Sequence, residues 1–119
     1  MNSKPEKIHV LVVDDETGIR EGAERILTRM DFKVSTACCG KDGLDIVSKE
    51  DISFVLLDLK MPGIDGMEVL RRIKERNSKI LVIVITGFAT VETAIEAKKQ
   101  GAYDFIPKPF EPDQLRMFV

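Results

Sequence analysis

Five polar residues stand at or just past the ends of apolar runs, where a hydrophobic core has no use for them. Asp14 and Asp15 follow Ile8-His9-Val10-Leu11-Val12-Val13, and Asp58 follows Phe54-Val55-Leu56-Leu57. Thr86 follows Ile80-Leu81-Val82-Ile83-Val84-Ile85, and Lys108 comes just after Tyr103-Asp104-Phe105-Ile106. Two carboxylates about 4 Å apart repel by roughly 4 kcal/mol at an effective dielectric near 20, so three clustered acids must bind a cation or take up a proton. All-oxygen ligation favours a hard ion. Mg²⁺ suits a site with few protein ligands, because it keeps waters and accepts phosphate oxygens. Lys108 offers a second positive charge. A Mg²⁺ and a lysine flanking one carboxylate can balance the oxygens of an incoming phosphoryl group. Asp58 then has the makings of a nucleophile that forms an acyl phosphate. Thr86 can donate a hydrogen bond to that phosphate, and Gly87 leaves room for it. The competing structural reading pairs Lys108 with one acid and makes the aspartates helix caps. It serves each residue alone better than it serves the set.

The elements that must present these groups follow from hydrophobic period. The runs 8–13, 54–57, 80–85 and 103–106 read as strands, and Lys33-Val34-Ser35-Thr36-Ala37 as a half-polar one. Ile19, Ala23, Ile26, Leu27 and Met30 recur at helical spacing, giving helix 1. Helix 2 spans about 41–49, with Leu44 and Val47 inward. In helix 3, Asp65 is the N-cap, Glu68 completes a capping box, and Ile64 and Val69 make a hydrophobic staple. Met67, Leu70 and Ile73 form its buried stripe. Thr90 caps helix 4, whose Val91, Ala94 and Ile95 are expected inward and which stops near Gly101. Pro107-Lys108-Pro109 is expected to break strand 5. Pro112 opens helix 5, and Leu115, Phe118 and Val119 begin its apolar face.

Strands alternating with helices imply a doubly wound α/β fold, a five-stranded parallel sheet with helices on both faces. Strands 1, 3 and 4 are apolar throughout and so central; strands 2 and 5 are edges. The flavodoxin-like order 2-1-3-4-5 satisfies this, and its functional crevice lies beyond the carboxyl ends of strands 1 and 3. All five polar residues belong at that edge.

With 119 residues, 44% of them hydrophobic and 32% charged, the chain is expected to form one soluble domain. A net charge of −2 gives no general attraction to nucleic acid or to an anionic membrane. No apolar run approaches a membrane span and residues 1–7 do not form a signal peptide, so the expected location is cytoplasmic. Cys38 and Cys39 with His9 make neither a zinc pattern nor a disulfide framework, and read as ordinary thiols at a strand end. His9 reads as a spectator near the start of strand 1.

The chain resembles the receiver domain of two-component response regulators, the CheY-like fold, over essentially its whole length. The resemblance rests on Leu11-Val12-Val13-Asp14-Asp15, on Leu57-Asp58-Leu59-Lys60-Met61-Pro62-Gly63-Ile64-Asp65-Gly66, on Ile85-Thr86-Gly87, and on residues 101–110 around Lys108. It implies that Asp58 accepts phosphate from a sensor histidine kinase. It implies Mg²⁺ ligation by Asp15 directly, by Asp14 largely through water, by Asp58, and by the main-chain carbonyl of Lys60. Lys108 would contact the phosphoryl group, and Thr86 and Phe105 would form a switch pair. Phosphorylation would then change the surface of helix 4, strand 5 and helix 5, controlling homodimerisation and an attached C-terminal effector in transcriptional regulation. The receiver itself would not bind nucleic acid. The wording around Asp58 and Lys108 resembles the NtrC- and DctD-like activators that work with sigma-54.

Some positions depart from relatives. Lys60 stands where the chemotaxis regulator has Asn, which bears on dephosphorylation rate. Phe105 replaces the frequent Tyr. The Lys108-Pro109 bond is expected to be cis by resemblance. Residues 1–119 are expected to be a single receiver domain, with helix 5 shorter than is usual. Three rivals are weaker. A haloacid-dehalogenase-type phosphatase wants a second acid where Lys60 stands. A flavin module wants a hydroxyl-rich first loop where Asp14-Asp15-Glu16 stands. A pseudo-receiver would lack some of the expected residues, and all are present.

Overall fold

The computed structural model describes residues 8–87, 90–108 and 110–116. The strands are β1 (His9–Val13), β2 (Lys33–Ala37), β3 (Phe54–Leu57), β4 (Leu81–Thr86) and β5 (Asp104–Pro107). The helices are α1 (Thr17–Arg29), α2 (Gly40–Lys49), α3 (Gly66–Arg76), α4 (Val91–Lys99) and α5 (Pro112–Arg116). Every neighbouring pair of strands is parallel and the order is β2-β1-β3-β4-β5, as the pattern of apolar runs requires. β1, β3 and β4 are almost entirely buried, whereas β2 buries only Ala37 fully and β5 only Ile106.

Alternation along the strands divides the core in two. Leu11, Val13, Val55, Leu57, Val82 and Val84 pack with Leu44 of α2 and with Val69, Leu70 and Ile73 of α3. Val10, Val12, Leu56, Ile83, Ile85 and Ile106 pack with Ala23 and Leu27 of α1 on the other face. β5 takes in Pro107 as its last residue and ends there, as expected of the Pro107-Lys108-Pro109 segment. An edge strand tolerates a residue with no N–H to donate. The expected cis bond, and the apolar face expected of Leu115, Phe118 and Val119, fall outside what is described.

Helix ends follow their local chemistry, with two corrections. The Asp65 side chain accepts the Met67 N–H at 3.1 Å, so it caps α3 as expected. Glu68 does not close a capping box; it pairs with Arg71 and with Arg72 (2.8 Å) one turn on. Two guanidiniums outbid one backbone N–H for its charge. The Thr90 side chain accepts the Thr93 N–H at 3.0 Å and starts α4. In α4, however, Val91 is 76% and Ile95 52% exposed, and only Ala97 is fully buried. Period alone identifies an apolar stripe but not what covers it. α1 and α4 are each followed by a left-handed residue, Asp31 (φ 68°) and Gly101 (φ 106°), whose own N–H and the next one both donate back to carbonyls of the helix.

His9 is no spectator. It is buried, its Nε2 lies 2.8 Å from Ser35 Oγ, and Ser35 Oγ donates to Glu50 Oε1 at 2.9 Å. This chain ties β1 to β2 and to the end of α2, at the edge of the sheet opposite the acidic residues.

Candidate functional site

The ends of β1, β3, β4 and β5 bring their polar residues toward the switch point between β1 and β3. The Asp14 N–H donates to Ala37 O (3.1 Å) and the Asp58 N–H to Val13 O (3.0 Å), so the ladder runs just past the strands and holds both aspartates by their backbones. Both side chains are buried. The Lys108 N–H donates to Thr86 O at 2.9 Å, which brings the residue after β5 against the end of β4.

The Lys108 ammonium is the centre of the site. Its Nζ lies 2.8 Å from Asp14 Oδ2, 2.8 Å from Glu16 Oε1 and 3.1 Å from Asp58 Oδ2. Burial disfavours its charge, but hydrogen bonds to the three carboxylates outweigh this and hold the ammonium above the usual lysine range. One ammonium shared three ways does less for each acid. Burial accordingly pushes the Asp14 carboxyl above its ordinary value, with the Asp58 charge adding to the push and Lys108 and the Glu16 N–H opposing it. Asp58 Oδ1 also accepts the Lys60 N–H at 3.0 Å, and Asp14 Oδ1 the Glu16 N–H at 2.9 Å. These bonds aim one oxygen of each acid at the loop and leave the other for the pocket.

Of the residues singled out by sequence, Asp14, Asp58 and Lys108 meet directly. Oxygens of Asp14, Glu16 and Asp58 lie within 4.8 Å of one another. Asp15 is exposed and lines the same open pocket as Glu16, Asp58, Lys60, Gly87 and Lys108, but its carboxylate is not one of those three. Thr86 is fully buried, while Gly87 beside it lines the pocket. Val84 is opposite Phe105 and Thr86 opposite Pro107, which puts Thr86 and the half-buried Phe105 diagonally on one sheet face. Sequence reasoning missed Glu16, whose signal was its place directly after Asp14-Asp15. It also missed Arg20, whose guanidinium donates to Asp14 O at 2.8 Å and braces the loop from α1.

An all-oxygen, net-negative cluster beside an ammonium fits a hard cation and a phosphate better than any apolar ligand. Residues 10–119 match the family described as response regulator receiver domain. The chain belongs to that family. This receiver domain is 38% identical over 107 residues to sporulation initiation phosphotransferase F of Bacillus subtilis, covering 90% of this chain and 86% of that protein. It is 42% identical over 111 residues to a putative NtrX-like response regulator of Rickettsia typhi, covering 92% of this chain but only 23% of that protein. The NtrX-like match agrees with the NtrC-like subgroup. A receiver domain protein (CheY-like) of Methanospirillum hungatei superposes with a TM-score of 0.92 at 28% identity, covering 95% of this chain and 90% of that one. The receiver domain is thus a signalling switch of a two-component system. None of its described helices is long and apolar enough to cross a membrane.

Proposed function

We propose that residues 1–119 form one cytoplasmic receiver domain whose Asp58 accepts a phosphoryl group from the phosphohistidine of a sensor histidine kinase. The observation that carries this reading is Lys108 Nζ set 3.1 Å from Asp58 Oδ2 inside an acidic pocket that opens to solvent. Transfer forms a bond from an Asp58 oxygen to phosphorus and breaks the phosphorus–nitrogen bond, and the imidazole leaves as the neutral base or takes a proton from solvent. Lys108 turns from the carboxylates toward the developing phosphoryl charge. Asp14, Asp15, Asp58 and the Lys60 carbonyl would hold Mg²⁺, which would supply the remaining positive charge near the phosphoryl oxygens. Glu16 is placed to act as a further outer partner.

The Thr86 hydroxyl then turns to the phosphate, and Phe105 moves into the space it leaves. This shifts an existing two-state equilibrium. The surface of α4, β5 and α5 changes with it and controls dimerisation and a C-terminal effector, in keeping with the regulators this chain resembles. The test is to incubate the protein with Mg²⁺ and a small acyl phosphate. An acid-stable, base-labile phosphate is expected on Asp58 and absent from Asp58→Asn; undiminished label in that variant would refute the assignment.

A further inference from the structure

Cys38 and Cys39 occupy the junction between β2 and α2, and the phosphoryl chemistry makes no use of them. Cys38 is exposed and Cys39 half-buried. One sulfur from each and a carboxylate oxygen of Asp42 lie within 4.8 Å of one another. Cys38 Sγ is 3.7 Å from Asp42 Oδ2. The local fold builds this triangle. Cys39 is extended (φ −157°, ψ 167°) and serves as the N-cap of α2, its carbonyl accepting the Gly43 N–H at 3.1 Å. The helix begins at Gly40 and brings Asp42, in its first turn, back beside the thiols.

Two thiols side by side can join as a disulfide or share a metal. Neighbouring Cα atoms across a trans peptide are about 3.8 Å apart, below the roughly 4.4–6.8 Å that a disulfide spans. The backbone therefore disfavours a disulfide between them. A tetrahedral ion with sulfur at about 2.3 Å and oxygen at about 2.1 Å sets those two ligands about 3.6 Å apart, close to the observed Cys38–Asp42 separation. Two sulfurs exclude Mg²⁺ and select a thiophilic ion.

We infer that Cys38, Cys39 and Asp42 form a second metal site, for a thiophilic divalent cation such as Zn²⁺, chemically separate from the all-oxygen pocket. Three protein ligands leave a fourth position for water, the arrangement of an open rather than a structural zinc site.

The site is tested with Co²⁺ added to the phosphine-reduced protein in excess Mg²⁺, which keeps the acidic pocket filled. One equivalent should produce thiolate-to-cobalt charge-transfer absorption, and Zn²⁺ should bleach it. Cys38→Ser and Cys39→Ser should each abolish the band, Asp42→Asn should weaken binding, and Asp58→Asn should leave it intact. Each variant is first shown to unfold in a single cooperative urea transition, so that loss of the band reports on the site and not on folding. No band in the parent protein, or a band that survives either serine variant, would overturn the site. So would Asp42→Asn binding as tightly as the parent, or a band that forms only with dimers in light scattering.

Discussion

At the scale of single residues, Lys108 sets the balance of the acidic pocket. Its side chain is only 10% exposed, and those of Asp14 and Asp58 are less so. Stripping one partner from a buried ionic cluster costs about 3–5 kcal/mol, and an opening to solvent reduces that. Lys108→Met should therefore lose about 2 kcal/mol in a urea melt in chelator. Millimolar Mg²⁺ should restore more of the loss than it adds to the parent protein, because the cation replaces the missing charge. Asp14 carries the opposite lesson. Its carboxyl lies above the ordinary 3.8, so the folded state holds the proton more tightly than the unfolded chain does. The stability this contributes is complete below pH 3.8 and is lost as pH rises through the folded value. Asp14→Asn should remove that decline, read from urea midpoints at stepped pH in metal-free buffer.

At the scale of elements, the turn from β3 into α3 couples packing to the site. A Cβ on Gly66 would fall on the backbone of Leu59, the residue after Asp58. Backbone cannot rotate aside as a side chain can. Gly66→Ala should cost about 3 kcal/mol in thermal or urea unfolding. It should also slow acyl-phosphate labelling, because relief of the clash moves the loop that holds Asp58. The Asp65-Gly66 pair in the motif thus has two separate reasons: Asp65 caps the helix, and Gly66 lets its start approach the strand. α4 is less securely seated. Val91 and Ile95 face outward, so less apolar burial holds this helix than holds α3. A helix so placed can change position at low cost, which is what the proposed switch would use.

At the scale of the whole molecule, the two edges of the sheet respond differently to pH. At the edge away from the pocket, burial pulls the His9 imidazole below its ordinary 6.5, with Lys33 acting the same way and Glu50 and Asp51 opposing. The folded state therefore favours the neutral ring. Its contribution is complete above pH 6.5 and is lost as pH falls through the folded value. Midpoints of the parent protein should fall between pH 7 and pH 5, and His9→Gln should flatten that limb while costing about 1 kcal/mol at pH 8.

The sequence by itself determined the strand order, the pairing of caps with helices α3 and α4, and the meeting of Asp14, Asp58 and Lys108. Strands that are apolar on both faces have to be central, and residues at the ends of parallel strands share one edge whatever the loops do. Which of Asp14 and Asp15 is buried was decided only in three dimensions, since both follow the same run. The same holds for Glu16 joining the cluster, for Glu68 preferring arginines to its own helix end, and for His9 finding Ser35 twenty-six residues away. Val91 and Ile95 show the limit most clearly. Periodicity assigns residues to a face, but burial depends on what lies opposite, and that is a property of the assembled fold.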